Sequence, residues 1–177
     1  VIGTTESYVG GLVGYSNSSY KINKVSVAGN TEGIIDVGGL IGYNHLTTIE
    51  NSYATGNVNG KNRVGGLVGY IVEDGTSYYR VLVENSYAIG EVTGTGSDIG
   101  GLVGSNSEGI ENAYWVPETT KQPFSNGGTA NTIQKMLKQS GYTDWDFDDI
   151  WEIQEGTTLA YLKELPMPSS VEIANME

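Results

Sequence analysis

Short apolar runs, each closed by glycine or asparagine, recur along the first two thirds of the chain. VGGLVG occupies 9–14, VGGLIG 37–42, VGGLVG 64–69 and IGGLVG 99–104, at spacings of 28, 27 and 35 residues. A second block follows each first one: INKVSVAGN (22–30), IENSYATGNV (49–58), VENSYAIGEV (83–92) and IENAYWV (110–116). The one long spacing comes from an extended connector, YIVEDGTSYYRVL at 70–82. A period of about 27 residues is shorter than the roughly 33 that a helix-pair repeat needs. Val, Ile, Tyr and Thr fill the blocks, and Gly, Asn or Ser bound them, which is strand composition. Each repeat therefore predicts about two short strands with Gly/Asn turns. One such unit cannot bury a core alone, whereas stacked units can.

Stacking at about 4.8 Å per coil turns equivalent residues into columns. Leu12, Leu40, Leu67 and Leu102 form one, predicted to be buried throughout. Val13, Ile41, Val68 and Val103 form its neighbour, expected on the opposite strand face. The Gly pairs at 10–11, 38–39, 65–66 and 100–101 suit a tight corner or close backbone approach. Tyr53, Tyr87 and Tyr114 predict an aromatic ladder, and Asn51, Asn85 and Asn112 an amide ladder bonded along the axis. In the first coil Lys24 and Ser26 replace the Asn and Tyr, as befits a terminal repeat.

The cycle GGLVGY…IENSYATGNV…VGGLVGY resembles the GLUG motif of bacterial surface and secreted proteins, over roughly residues 8–116 in about four copies. GLUG repeats occur in adhesin-like surface proteins and in the N-terminal part of some secreted IgA-specific metallopeptidases. The resemblance implies an extracellular β-solenoid module and no defined chemistry. The expected fold is all-β: a right-handed parallel β-solenoid, or β-helix, of about four coils over 1–116. A capping segment at 117–165 and a tail or linker at 166–177 follow. The segment from AYWVPETT to TTLAYL also resembles the one that often ends GLUG arrays.

Within the cap, 117–130 reads as a polar loop. A short helix is expected at about 131–140, capped by Asn131 or Thr132, with Ile133, Met136 and Leu137 on one face and Gly141 at its end. DWDFDDIWEIQEGTTLAYL reads as a hairpin turning at Glu155-Gly156. Trp145, Phe147 and Trp151 are expected to seal the last coil near Leu102 and Tyr114, because an uncovered solenoid end invites aggregation.

Composition narrows the partners. The 177 residues include 26 Gly and 12 Tyr, and carry a net charge of −12. Phosphate binding needs a basic footprint, so nucleic acid and anionic lipid are disfavoured. No apolar run approaches the roughly 18 residues of a membrane span. With no Cys and a single His, thiolate zinc sites, disulfides and multi-histidine metal sites are excluded. The chain starts at Val1 with no visible signal peptide, and LPMPS at 165–169 is not a sortase anchor because Pro168 stands where Thr is needed. These features read as part of a larger polypeptide.

Candidate chemistry is sparse. His45 has no nucleophile elbow to serve, and the HExxH helix of GLUG-bearing peptidases is absent, so that activity does not carry over. Asp144, Asp146, Asp148 and Glu155 fall at calcium-loop positions 1, 3, 5 and 12, but Asp149 stands where the loop needs Gly. An acidic strand face is the simpler reading. Glu50, Glu84 and Glu111 share one repeat position, which stacks carboxylates on the order of 5 Å apart. That is near the spacing of a retaining glycosidase pair, yet any solenoid ladder imposes it. An ice-binding face is rejected because its column reads Ala28, Thr55, Ile89 instead of a Thr array. The 70–82 insertion brings Tyr78, Tyr79 and Arg80, residue types that anchor interfaces.

The resulting expectation is a non-catalytic extracellular module, for adhesion or as a rigid stalk on a bacterial surface protein. It needs no metal and no cofactor, and it meets a host protein or glycan. The alternative is an accessory segment of a larger secreted peptidase or carbohydrate-active enzyme.

Overall fold

A computed structural model describes residues 1–3, 7–72, 83–105 and 109–172. The repeats stack as parallel β-coils in register. Val9, Val37, Val64 and Ile99 pair across one sheet, and Val13, Ile41, Val68 and Val103 across the next. Ile22, Ile49, Val83 and Ile110 follow, then Tyr53, Tyr87 and Tyr114. The expected all-β parallel solenoid is therefore what the chain forms.

Each coil is more finely cut than the sequence suggested. The second holds five strands: Ile35–Gly38, Ile41–Asn44, Thr48–Glu50, Tyr53–Ala54 and Val58–Gly60. Left-handed residues do part of the cutting. One column of them is Tyr8, Asp36, Arg63 and Asp98, with φ of 50 to 65°, and the other is Lys24, Asn51, Asn85 and Asn112, with φ of 46 to 57°. Asn is among the few residues that visit this region readily, so the second column explains the repeated Asn.

The amide ladder expected from that Asn column does not form. Asn51 Nδ2 donates to Asn23 Oδ1 at 3.0 Å, and the buried Asn85 Oδ1 has no protein partner. Axial side-chain bonds come from other columns. Asn30 Oδ1 accepts from Asn57 N, and Asn57 Oδ1 from Glu91 N, each at 3.0 Å. Ser52 Oγ accepts from Val25 N at 3.2 Å and Ser86 Oγ from Ser52 N at 3.1 Å. The serine of the NSY block thus ties successive coils together.

The Gly pair makes the corner. A Cβ on Gly39 would strike the Gly66 carbonyl oxygen and lie 2.8 Å from Ala54 Cβ, so nothing larger than glycine fits between coils there. Because Leu40 sits on this corner, the Leu column and the Ile41/Val68/Val103 column share one core instead of lying on opposite strand faces. Ile49, Ala54, Ile71, Val83, Ala88, Ala113 and Trp115 complete it. A second, smaller core holds Val9, Val37, Val58, Val64 and Val92. Between the two, the sheets press backbone to backbone: a Cβ on Gly42 would lie 2.6 Å from both Asp36 O and Val9 N.

Leu12 departs from its column. Leu40, Leu67 and Leu102 are wholly buried, but Leu12 is 49% exposed, because among the described residues no further coil lies over the first one there. At the other end, residues 122–130 seal the last coil. Phe124 O accepts from Gly101 N at 2.9 Å, Ser125 Oγ accepts from Leu102 N and Val103 N at 3.2 and 2.9 Å, and Thr129–Ala130 pairs with Tyr114–Trp115. The stretch read as a polar loop is thus a partial extra coil, preceded by a helical turn at Pro117–Thr120.

The aromatic cap meets Tyr114 as expected but sits away from Leu102. Trp145 and Trp151, 4.3 Å apart, pack on the flank against Tyr53, Tyr87 and Tyr114, and not over the end of the stack beside Leu102. Trp151 Nε1 reaches back to Asn51 Oδ1 at 3.3 Å, and Glu164 pairs with Lys24 of the first coil at 3.0 Å. The segment is therefore a buttress running along several coils. Its helix is short, Ile133–Met136, with the Thr132 side chain accepting from Lys135 N, and a 3-10 turn follows at Gln139–Gly141. The expected hairpin forms between Trp151–Glu152 and Tyr161–Leu162. Residues before it are turns instead of strand: Asp146 Oδ1 accepts from Asp148 N and Asp149 N at 3.0 and 2.8 Å. Val171 is buried in the same cluster, and Leu159 N donates to its carbonyl at 2.9 Å.

Candidate interaction surface

The insertion residues Tyr78, Tyr79 and Arg80 lie outside the described residues. Glu50, Glu84 and Glu111 do stack in register, with Asn23 at the same place in the first coil. Glu50 is held by Lys21 at 2.7 Å. Asp144, Asp146 and Asp148 do not converge, since Asp146 is spent on its own turn. Among the described residues no group of three or more His, Cys, Asp or Glu is placed to hold a metal ion. His45 Nδ1 lies 2.5 Å from Asn17 Oδ1 on the surface.

What the structure brings together instead is a wall of tyrosines. The Tyr that follows each GGLVG or GGLIG corner points outward, so Tyr15, Tyr43 and Tyr70 form a column in register. Tyr15 and Tyr43 stack at 4.9 Å and 17°, and Tyr43 meets Tyr70 edge to face at 5.4 Å. Tyr8, from the neighbouring sheet, sets its edge against both Tyr15 and Tyr43. Tyr8 and Tyr15 are 44% and 50% exposed, values far from those of the wholly buried Tyr87. Ser105 ends the column in the last coil.

Among the described residues one cation joins this wall. Arg63 lies 4.6 Å over the Tyr70 ring, within cation–π range. Its guanidinium is fixed by both oxygens of Asp36, whose side chain is wholly buried. Burial pushes the Asp36 carboxyl above its ordinary range, and the Arg63 hydrogen bonds pull it back in part. The hydrogen bond to Asp36 in turn raises Arg63, which stays charged. Burial and then the neighbouring tyrosines Tyr15, Tyr70 and Tyr8 raise the Tyr43 phenol. The wall thus offers phenol groups, ring edges and one aligned guanidinium. The recurring Tyr of GGLVGY was the available signal, but periodicity alone could not say that it faces out while the NSY tyrosine faces in.

Fold and surface together define a stack of parallel β-coils with a column of tyrosines on one outer face. The family model "The GLUG motif" matches residues 33–59, one full period of the array. The chain is 35% identical over 144 residues to a protein of Evansella cellulosilytica described as "Putative Gly-rich membrane protein". The match covers 77% of this chain and only 12% of that relative. No solved structure matches this chain. No helix among the described residues is long and apolar enough to cross a membrane.

Proposed function

We propose that this chain is a non-catalytic, surface-associated segment of a bacterial protein, a rigid stalk whose tyrosine wall contacts a glycan or host protein outside the cell. The observation that carries it is the outward column Tyr15–Tyr43–Tyr70, with Tyr8 and Arg63 alongside. The three column tyrosines belong to no buried core, yet they recur at the coil period. Tyr supplies amphipathic contact area at low entropy cost, and a guanidinium already fixed by Asp36 loses little freedom on binding. In-register stacking holds the spacing of this pattern. Similarity to a protein described as a membrane protein supports placement at the cell surface.

The strand carrying Tyr70 ends at Ile71, and the insertion residues Tyr78, Tyr79 and Arg80 that follow it in sequence are tested alongside the wall. One patch of this size suits modest affinity, with strength coming from many copies. The test is a glycan array and an extracellular-matrix panel probed with the multimerised protein. Binding should drop at least about tenfold in Tyr15→Ser/Tyr43→Ser/Tyr70→Ser, and in Tyr78→Ala/Tyr79→Ala/Arg80→Ala. Unchanged binding by both variants sinks the assignment of the wall, and hydrolysis of any bound glycan sinks the non-catalytic reading.

A further inference from the structure

The two ends of the stack differ. At one, residues 122–130 occupy the place of a next coil and satisfy the amides of Gly101, Leu102 and Val103. At the other, Ser7–Gly10, Val13–Ser16, Lys21–Asn23 and Ser26–Val27 are each the outermost strand of their sheet. Leu12 is half exposed there, and Val13, Ile22 and Val27 are only partly covered, whereas Ile41, Ile49 and Ala54 at the same positions one coil on are buried. The first coil therefore presents the cut cross-section of the core.

The fifth sheet shows what belongs on it. Its outermost full strand, Thr31–Glu32, already has a partner. Ile2 bridges Glu32 in parallel, Glu32 N donates to Val1 O at 2.9 Å, and Gly3 N donates to Glu32 O at 2.8 Å. Val1-Ile2-Gly3 thus stands one coil before Thr31-Glu32-Gly33, and matches Val58-Asn59-Gly60 and Val92-Thr93-Gly94 in type and register. By position and sequence these residues are the closing strand of another coil.

We infer that the open end is the docking face for one more coil of the same repeat, leading directly into Val1 and pairing parallel and in register with the four uncovered strands. Its chemistry is specified. Gly39 fits only because its neighbour on the next coil offers a carbonyl oxygen where a Cβ would stand. A coil seated on Gly11 must likewise bring glycine to that corner, followed by an apolar residue over Leu12. Exposed edges left without such a coil are templates for other strands. A second copy of this chain is the poorer occupant. Its own far end is sealed, so it could meet this face only head to head, which cannot repeat the parallel register.

The test appends residues 31–57 of this chain directly before Val1 of the full chain. Asn57 then precedes Val1 just as it precedes Val58. Amide exchange in Ser7–Gly10 and Val13–Ser16 should slow at least about tenfold, and the added coil should resist protease. The same extension with both glycines of its Gly-Gly corner changed to Val should restore fast exchange. Unchanged exchange in the glycine-bearing extension, or an added coil that is cleaved at once, overturns the inference. So does a dimer of the unextended chain in sedimentation that Leu12→Arg dissolves, because it would make a second copy the occupant. This test leaves the tyrosine-wall reading untouched, since neither readout involves a ligand.

Discussion

Leu67 and Leu12 occupy the same place in the repeat and differ in what covers them, so truncating each measures the value of coil stacking. Leu67 is wholly buried between Leu40 and Leu102. Removing the carbons beyond Cβ forfeits about 0.8 kcal/mol apiece, hence about 2.4 kcal/mol of transfer free energy. A cavity contribution adds to this, because the neighbours cannot close in. Leu67 N donates to Leu102 O, and Leu40 N to Leu67 O, each at 2.8 Å, which holds the coils at fixed separation. The expected cost of Leu67→Ala is therefore about 3–4 kcal/mol, within the roughly 2–5 kcal/mol seen for buried Leu→Ala. Leu12 is 49% exposed, retains about half the transfer value and leaves an open notch instead of a cavity. Leu12→Ala should cost about 1 kcal/mol. Urea unfolding followed by far-UV circular dichroism gives both values. A difference between the two variants below about 1 kcal/mol would refute the argument that coverage by the next coil is what makes this column a core.

Two further outcomes are expected. Trp151→Ala should cost about 3–5 kcal/mol and expose 132–172 to limited proteolysis before the coils, with loss of the exciton signal of the Trp145–Trp151 pair. Arg63→Met should cost about 2 kcal/mol at pH 7, less than a fully buried pair because Arg63 is about a third exposed, and it leaves the Asp36 carboxylate buried and unpaired. Burial already raises the Asp36 pKa in the folded state, and losing Arg63 raises it further, so the native state binds the extra proton. The deficit should shrink as pH falls through that folded pKa and be smallest in acid, in thermal melts read against wild type; a deficit that grows on acidification would contradict the sign.

The parts of this fold set by local rules were readable in the sequence. The Gly-Gly corner, the Leu column and the NSY tyrosines all repeat at the coil period, and in a solenoid a repeated residue is a stacked one. Leu12 was misjudged because its burial depends on a neighbour that the motif does not contain. The strand count was underestimated because this left-handed column mixes Tyr8 and Arg63, which do not announce such a backbone, with Asp36 and Asp98, which do, so no repeated residue marks it. The destination of Trp145 and Trp151 could not be read either. The end of the stack and the Tyr53–Tyr87–Tyr114 flank are both aromatic-friendly, and only the seal made by 122–130 leaves the flank as the place to bury them.

The two tyrosine columns have opposite fates for a structural reason, and this locates the free surface. Tyr53 and Tyr87, stacked at 4.9 Å, lie on a sheet whose inner face is lined by Ala54 and Ala88, and their outer side is roofed by the buttress. Tyr87 donates its hydroxyl to Ala160 O at 2.7 Å, so its polar tip is satisfied under that roof. Tyr15, Tyr43 and Tyr70 lie where glycines 14, 42, 69 and 104 press two sheets together, backbone on backbone. That pinch leaves no room to turn these rings inward, and the buttress runs along a different sheet. Their hydroxyls therefore face outward, where water or, on the proposed reading, a partner meets them. A partner that replaces that water with ring contacts and hydrogen bonds meets the same side chain at each step of the coil. Affinity for a repeating ligand should then grow with the number of coils that display the tyrosine, and stop at Ser105, where the column ends.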